Sequence, residues 1–132
     1  FLHTLSLHDA LPICMEPMES LRYLPYLSNE GRVVTGSKPF VNIPDYPDTD
    51  TLMAELAALP AVDMMDIDAV ARDAGNPRGA NMVLLGMAAR YFSILSPQEL
   101  QDAIRTVFAR KGEGVVEANL KAFRAGLEGL DS

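Results

Sequence analysis

The 132-residue chain has the length of one domain, and with 48% hydrophobic residues it has enough apolar side chains for a core. Its 11 Lys and Arg against 18 Asp and Glu give a formal net charge of −7, which argues against a nucleic acid or an anionic membrane as partner, because both bind clustered basic side chains. A single Cys and two His exclude an intrachain disulfide and a structural zinc site, and no apolar run approaches the ~20 residues of a membrane-spanning helix.

Residues 1–14 stand apart from the rest of the chain. They lack the basic start and the small-residue cleavage site of a signal peptide. The string HTLSLHDALPI, from His3 to Ile13, is the translation in one reading frame of the end of a common short-read sequencing adapter, and Cys14 fits the junction codon. We therefore predict that residues 1–14 are not native and make no specific packing contact, and we treat residues 15–132 as the domain.

The first half of this domain alternates between helix and strand. Pro25 distorts the first predicted helix and Pro60 stops the second, for which Asp48 or Asp50 is the N-cap. A Pro-rich connection with an extended segment at 40–43 separates the first strand from the second helix. This order predicts an α/β layer with a crossover connection. The predicted elements are helix 16–27, strand 32–35, a helix from Thr51 to Leu59, strand 61–67, and helix 68–74 with Gly75 at its end.

Three helices are predicted in the second half. The stretch 77–92 is apolar nearly all round, which predicts a helix buried between layers or against a partner. The sequence SPQE at 96–99 is a capping box and begins a helix that runs to about Arg110. A last helix begins near Glu113. The predicted buried faces are Leu100, Ile104, Val107 and Phe108 on one helix and Val116, Leu120, Phe123 and Leu127 on the other.

Four segments carry a family resemblance by their order and spacing: EPMESLRYLPYL, GSKPFVNIPDYPD, GNPRGANMVLLG and KGEGVVEANLKAFRAG. Together they resemble the second half of the beta subunit of the indolepyruvate ferredoxin oxidoreductase family, which is the gamma-type domain of the 2-oxoacid:ferredoxin oxidoreductases. The resemblance covers residues 16–128. It implies a partial three-layer α/β/α (Rossmann-like) domain that lacks its N-terminal strands and Gly-rich turn and has a helical C-terminal half.

The resemblance also implies an activity. Members of the family oxidatively decarboxylate aryl 2-oxoacids with coenzyme A, giving an acyl-CoA, carbon dioxide and reduced ferredoxin. Thiamine diphosphate and iron-sulfur clusters lie on the alpha-type partner subunit, so we expect this chain to bind no cofactor or metal and to be catalytically silent alone. The implied partners are that subunit and, indirectly, ferredoxin, in the cytoplasm.

A second interpretation is a non-catalytic α/β interaction module with a different partner. Residues 15–132 contain no His and no Cys, so a Cys or Ser nucleophile with a His base is not available in that stretch. The DNA upstream of codon 15 distinguishes the two interpretations. A strand followed by a Gly-rich turn favours the oxidoreductase subunit, and an unrelated domain or a true start codon favours the module.

Several polar residues are candidates for the wall of a substrate or coenzyme A site. One group precedes the most apolar helix, where backbone N–H groups and an Arg can receive an anion. For this group we favour a structural role over ligand binding. In that role the asparagines hydrogen-bond to the turn and the Arg pairs with a carboxylate. For the second group, which flanks Pro39 and Phe40, we favour an interface or turn role. The two groups are Asn76, Arg78 and Asn81, and Lys38 and Asn42.

Three aspartates in the Pro-rich connection resemble a site for a hard cation. Asp45, Asp48 and Asp50 lack the spacing and the glycine of an EF-hand loop. We therefore predict a solvated acidic loop in which one of them caps a helix.

Overall fold

The computed structural model describes residues 13–27, 31–41 and 44–129. The chain divides into two compact units, residues 1–65 and 66–132, and each is described by itself. Asn42 and residues 1–12 lie outside the described residues. None of the helices in the described ranges combines the length and the apolar character that crossing a bilayer requires.

The first unit is built on a parallel sheet with the strand order β1, β2, β3 in its described residues. Val33 of β2 pairs with Val62 of β3, and Val34 pairs with Ile13 of β1. All four residues of the central strand are buried, and it pairs with a strand on each side. The strands are β1 (Ile13–Cys14), β2 (Val33–Gly36) and β3 (Val62–Met65).

Strand β1 differs from the expectation that residues 1–14 make no specific contact. Ile13 and Cys14 pair in parallel with Val34 and Thr35. Strand pairing uses backbone N–H and C=O groups, which almost any sequence supplies to an open sheet edge. The pairing therefore does not depend on where the two residues come from, and the adapter origin of residues 1–14 stays a prediction.

Proline and aspartate set the helix limits in the first unit. Helix α1 (Pro17–Arg22) is followed by a 3-10 turn (Leu24–Tyr26) that contains Pro25, so the predicted distortion is confirmed. Helix α2 (Thr49–Ala57) begins at the N-cap Asp48, whose carboxylate accepts a hydrogen bond from the Thr51 N–H at 3.0 Å. The first of the two predicted caps is therefore confirmed, and the helix ends before Pro60 as predicted.

The second unit is helical in its described residues, as predicted for the C-terminal half. Its first helix begins one residue earlier than predicted, because the Asp66 carboxylate accepts from the Ala69 N–H at 3.1 Å and so also shortens the strand predicted over 61–67. Gly75 ends that helix at φ 83°, a left-handed conformation that favours glycine. The helices are α3 (Ile67–Asp73), α4 (Ala80–Ala89), α5 (Pro97–Phe108) and α6 (Glu113–Gly129), with a 3-10 turn (Ala109–Lys111) before the last.

Helix α5 has the predicted cap and most of the predicted buried face. Ser96 Oγ accepts from the Glu99 N–H at 3.1 Å, and the Glu99 carboxylate accepts from the Ser96 N–H at 3.2 Å. Leu100 and Ile104 are buried, but Val107 is 70% exposed, so its predicted burial is wrong. On α5, Ile104 and Gln101 lie on the side that faces α6. Val107 lies at the opposite edge of the predicted apolar stripe, past Leu100.

Helices α4 and α6 pack with their backbones in contact. A Cβ atom placed on Gly86 would lie 2.0 Å from the Phe123 carbonyl oxygen, and one on Gly126 would lie 1.9 Å from the Val83 carbonyl oxygen. Each helix therefore needs a glycine where the other helix crosses it. Seven of the ten residues of α4 are buried, which confirms the burial predicted from its apolar surface.

We expect Gly86→Ala and Gly126→Ala each to lower the free energy of unfolding by about 3 kcal/mol or to prevent folding, because neither carbonyl can move without shifting a helix. The control is Gly114→Ala in α6, where an added Cβ meets no atom within 4 Å. That control should change the free energy of unfolding by less than about 0.5 kcal/mol, since Gly114 lies in the first turn of α6 and its added Cβ meets no neighbour. Chemical denaturation followed by circular dichroism measures all three, and a loss below about 0.5 kcal/mol in both buried variants would contradict the packing.

Candidate functional site

Three of the predicted site residues lie on or beside a tight turn between α3 and α4. Two backbone hydrogen bonds close the end of α3. The Gly75 N–H donates to Arg72 O and the Asn76 N–H donates to Ala71 O, both at 2.9 Å. The chain then reverses over residues 76–79, where the Gly79 N–H donates to Asn76 O at 2.8 Å. Pro77 supplies the backbone angle that the second position of such a turn favours. The turn places Arg78 at its tip.

The start of α4 has no side-chain cap from its N-cap residue. Gly79 occupies that position, and a Cβ there would lie 2.5 Å from Asn76 Nδ2, so the asparagine amide packs against the glycine. Asn81 Oδ1 accepts from the Met82 N–H at 3.0 Å. Within the described residues the N–H groups of Ala80 and Asn81 donate no hydrogen bond. They are donors of the kind that bind anions at helix starts.

Arg78 is exposed and forms no ion pair or hydrogen bond with any residue that the structure describes. Its expected pairing with a local carboxylate is therefore not found in that part of the chain, whereas the expected hydrogen bond from an asparagine to the turn is present at Asn81. The turn thus combines one free guanidinium with free backbone donors at a helix start. This combination can bind a carboxylate or a phosphate.

Lys38 belongs to the first unit and lies at the carboxyl end of strand β2, an edge where parallel α/β sheets commonly bind ligands. The Ser37 N–H donates to Met65 O at 2.8 Å and extends the pairing of β2 with β3 by one bond. Lys38 follows directly and is exposed.

Glu16 is the residue at this edge that the sequence analysis missed. Its carboxylate caps α1 by accepting from the Glu19 N–H at 3.2 Å. Its Oε1 atom also accepts from the Phe40 N–H at 3.2 Å and from the Tyr46 hydroxyl. Glutamate is uncommon at an N-cap, where Ser, Thr, Asp and Asn are preferred. The signal in the sequence for a further role of Glu16 was a glutamate at a helix N-cap, directly before Pro17.

The surroundings of Glu16 keep neighbouring groups protonated. Burial, and then the hydrogen bond to Glu16, raise the pKa of Tyr46, so the phenol stays a donor. Burial also raises the pKa of the Cys14 thiol, and the negative charges of Glu19 and Glu16 add to the effect. Cys14 therefore lacks the lowered pKa of a reactive cysteine.

The acidic connection is solvated, as predicted. Asp45, Asp48 and Asp50 are all exposed, and Asp48 caps α2. The Thr51 N–H and hydroxyl both donate to the Asp48 carboxylate and lower its pKa. No group of three or more His, Cys, Asp or Glu side chains that could hold a metal occurs within the described ranges.

The chain is similar to known proteins along most of its length. The family profile described as pyruvate ferredoxin/flavodoxin oxidoreductase matches residues 9–129. Indolepyruvate oxidoreductase subunit IorB of Methanothermobacter thermautotrophicus is 31% identical, with 88% of this chain and 62% of that protein covered. IorB of Archaeoglobus fulgidus is 29% identical, with 86% and 59% covered, and IorB of Thermococcus kodakarensis is 28% identical, with 88% and 60% covered. The chain therefore spans about 60% of the length of these curated relatives.

We expect Arg78→Ala to change the free energy of unfolding by less than about 0.5 kcal/mol, because the side chain is exposed and forms no hydrogen bond or ion pair with a described residue. The matched control is Arg90→Ala. The Arg90 guanidinium donates from Nη2 to Leu127 O in a partly buried position, so its loss should cost roughly 1.5–3 kcal/mol. Urea denaturation compares the two variants. An equal loss for Arg78 would mean that this side chain has a structural partner and is not available to a ligand.

Proposed function

Since the chain belongs to the pyruvate ferredoxin/flavodoxin oxidoreductase family, we propose that it is part of a non-catalytic subunit of a 2-oxoacid:ferredoxin oxidoreductase that acts on indolepyruvate. The reaction is oxidative decarboxylation with coenzyme A to an acyl-CoA, carbon dioxide and reduced ferredoxin. The observation that carries the proposal is the family match over residues 9–129. Relatives named as indolepyruvate oxidoreductase subunits support the choice of substrate.

The residues of this chain support a division of labour between subunits. Decarboxylation of a 2-oxoacid needs an electron sink, and passing electrons to ferredoxin needs redox centres, which cysteine thiolates usually hold. The chain has one cysteine, Cys14, and its raised pKa disfavours the thiolate. These residues do not fit an iron-sulfur cluster. The proposal therefore assigns thiamine diphosphate and the clusters to an alpha-type partner subunit.

The turn before α4 is the proposed contribution of this chain to the substrate or coenzyme A site. Arg78 and the N–H groups of Ala80 and Asn81 can bind a negatively charged group. Both indolepyruvate, through its carboxylate, and coenzyme A, through its phosphates, offer such a group. The role of the turn would be to bind and orient the charged end of one of them while the partner subunit carries out the chemistry.

A viologen-reduction assay with indolepyruvate and coenzyme A tests the proposed function. It should be run on this chain, on the full-length subunit, on the alpha-type partner, and on the last two mixed. We expect no turnover from this chain alone and full turnover from the mixture. Turnover by this chain alone would overturn the non-catalytic assignment. Turnover by the partner that does not change when the full-length subunit is added would remove the subunit from the reaction.

In the assembled enzyme we expect Arg78→Ala to raise KM for coenzyme A or for indolepyruvate by about tenfold with little change in kcat, because loss of one charge-assisted hydrogen bond weakens ground-state and transition-state binding alike. The control is Arg105→Ala on α5, which is also exposed. Steady-state kinetics with each substrate varied in turn gives the result and identifies the substrate. Unchanged KM values for both would exclude the turn from the site.

A further inference from the structure

Two backbone hydrogen bonds fix the chain on either side of Lys38. Before it, the Ser37 N–H donates at 2.8 Å to the carbonyl oxygen of the last residue of β3. After it, the Phe40 N–H donates to Glu16 Oε1 at 3.2 Å. Pro39 lies between these two bonds, and its ring restricts the φ angle at that position. The backbone that carries the Lys38 side chain is therefore held in place at the carboxyl end of β2.

Glu16 reaches this part of the chain from the neighbouring strand. It follows the end of β1 closely, and because β1 and β2 are parallel, both strands end at the same edge of the sheet. Its Oε1 atom also accepts from the Tyr46 hydroxyl, and its Oε2 atom accepts from the Glu19 N–H at 3.2 Å. A charged acceptor makes stronger hydrogen bonds than a neutral one. The charge of Glu16 therefore joins the chain after β2 to the start of α1.

The Lys38 ammonium is a positive charge that the rest of the described chain does not neutralise. The side chain is exposed, and among the described residues it forms no ion pair or hydrogen bond. It is also the only Lys or Arg between Val33 and Ala71 in the sequence. The turn role that the sequence analysis considered would give the ammonium a partner in the turn, and the described residues supply none. An ammonium at the carboxyl edge of a parallel sheet can instead bind a carboxylate or a phosphate.

We propose that Lys38 binds the negatively charged group of one substrate at the carboxyl end of β2 and that Glu16 is its positioning residue. The inference rests on the proposed function, which supplies two substrates with such a group: indolepyruvate has a carboxylate and coenzyme A has phosphates. Glu16 acts through the backbone of residues 37–40 and does not touch the substrate. A cation on a backbone that is already fixed loses less conformational freedom on binding than one on a loose chain.

Hydrogen exchange on the 132-residue chain tests whether Glu16 fixes the backbone. Glu16→Gln keeps the size of the side chain but removes its charge, and should speed exchange of the Phe40 amide about tenfold. Tyr46→Phe removes the other donor to Oε1 and should leave that amide protected. The control Glu19→Gln alters a carboxylate of α1 that pairs with Arg22, and it should have no effect. An equal exchange rate of the Phe40 amide in Glu16→Gln and in the unaltered chain would overturn the positioning role.

Steady-state kinetics of the assembled enzyme, with each substrate varied in turn, tests the binding role of Lys38. Lys38→Met keeps the length of the side chain but removes its charge, and should raise KM for one substrate about tenfold at a nearly unchanged kcat. Lys38→Arg keeps the charge and should retain most of the affinity. The control Lys121→Met alters another exposed lysine, on α6, and should leave both KM values unchanged. A raised KM for indolepyruvate identifies its carboxylate as the bound group, and a raised KM for coenzyme A identifies its phosphates.

A double-mutant cycle in the same assay tests whether Glu16 acts through Lys38. Glu16→Gln alone should raise the same KM about threefold, but it should add nothing in the Lys38→Met background, where no charge remains to be positioned. Glu19→Gln is the control and should leave KM unchanged in both backgrounds. A merely structural role of Glu16 would give the same rise with and without the Lys38 charge, and that result would overturn the inference.

The inference and the proposed function fail in different ways. Turnover by the unaltered mixture, with neither KM changed in Lys38→Met, would overturn the binding role of Lys38 and leave the proposed function standing. No turnover by the unaltered mixture would overturn the proposed function, and the assignment of a substrate to Lys38 would fail with it.

Discussion

The close approach of α4 and α6 is the constraint on which the second unit depends. Helix α4 has apolar side chains on nearly all sides and little of it faces solvent. Gly86 and Gly126 let its backbone meet that of α6, so Val83 and Phe123 become fully buried at the crossing. Burying an aliphatic or aromatic side chain of this size contributes roughly 1.5–3 kcal/mol. Side chains of α5 complete the same core, since Leu100 and Ile104 pack with Phe123.

The position of α4 also determines the shape of the candidate anion site. Since the helix must begin where it can meet α6, the chain has only residues 76–79 in which to reverse after α3. Pro77 and Gly79 make that short reversal possible, and Arg78 is left at its tip. The packing of the core and the exposure of the proposed binding residue thus have one origin.

Elements that depend on neighbouring residues could be predicted from the sequence. Features that depend on residues far along the chain could not. The capping box at Ser96 and the stop before Pro60 follow from neighbouring residues, and the structure has both. The spacing of apolar residues predicted the buried stripe of α6, but on α5 it wrongly included Val107, because periodicity does not reveal which edge of a stripe the neighbouring helix covers. The resemblance to a family of oxidoreductase subunits, given by four short segments in order, is confirmed.

Glu16 shows the same limit at the edge of the sheet where β2 ends. Its hydrogen-bond partners Phe40 and Tyr46 lie far along the chain, and no local sequence pattern predicts a hydrogen bond across such a separation. The placement of Arg78 without a carboxylate partner in the described residues is similar, since many acidic residues are available in the sequence and only the folded turn shows that none is near.

Gly86 of α4 and Gly126 of α6 allow the close approach of the two helices and also form contacts of their own. A missing Cβ whose position lies 2.0 Å or less from a carbonyl oxygen places a glycine Cα hydrogen on the line toward that oxygen. Gly86 and Gly126 therefore each direct a C–H group at a carbonyl of the opposite helix, and the two contacts run in opposite directions across the same crossing. Contacts of this kind contribute roughly 0.5–1 kcal/mol each. Because they join uncharged groups in the buried core, added salt screens them far less than it screens contacts between surface charges.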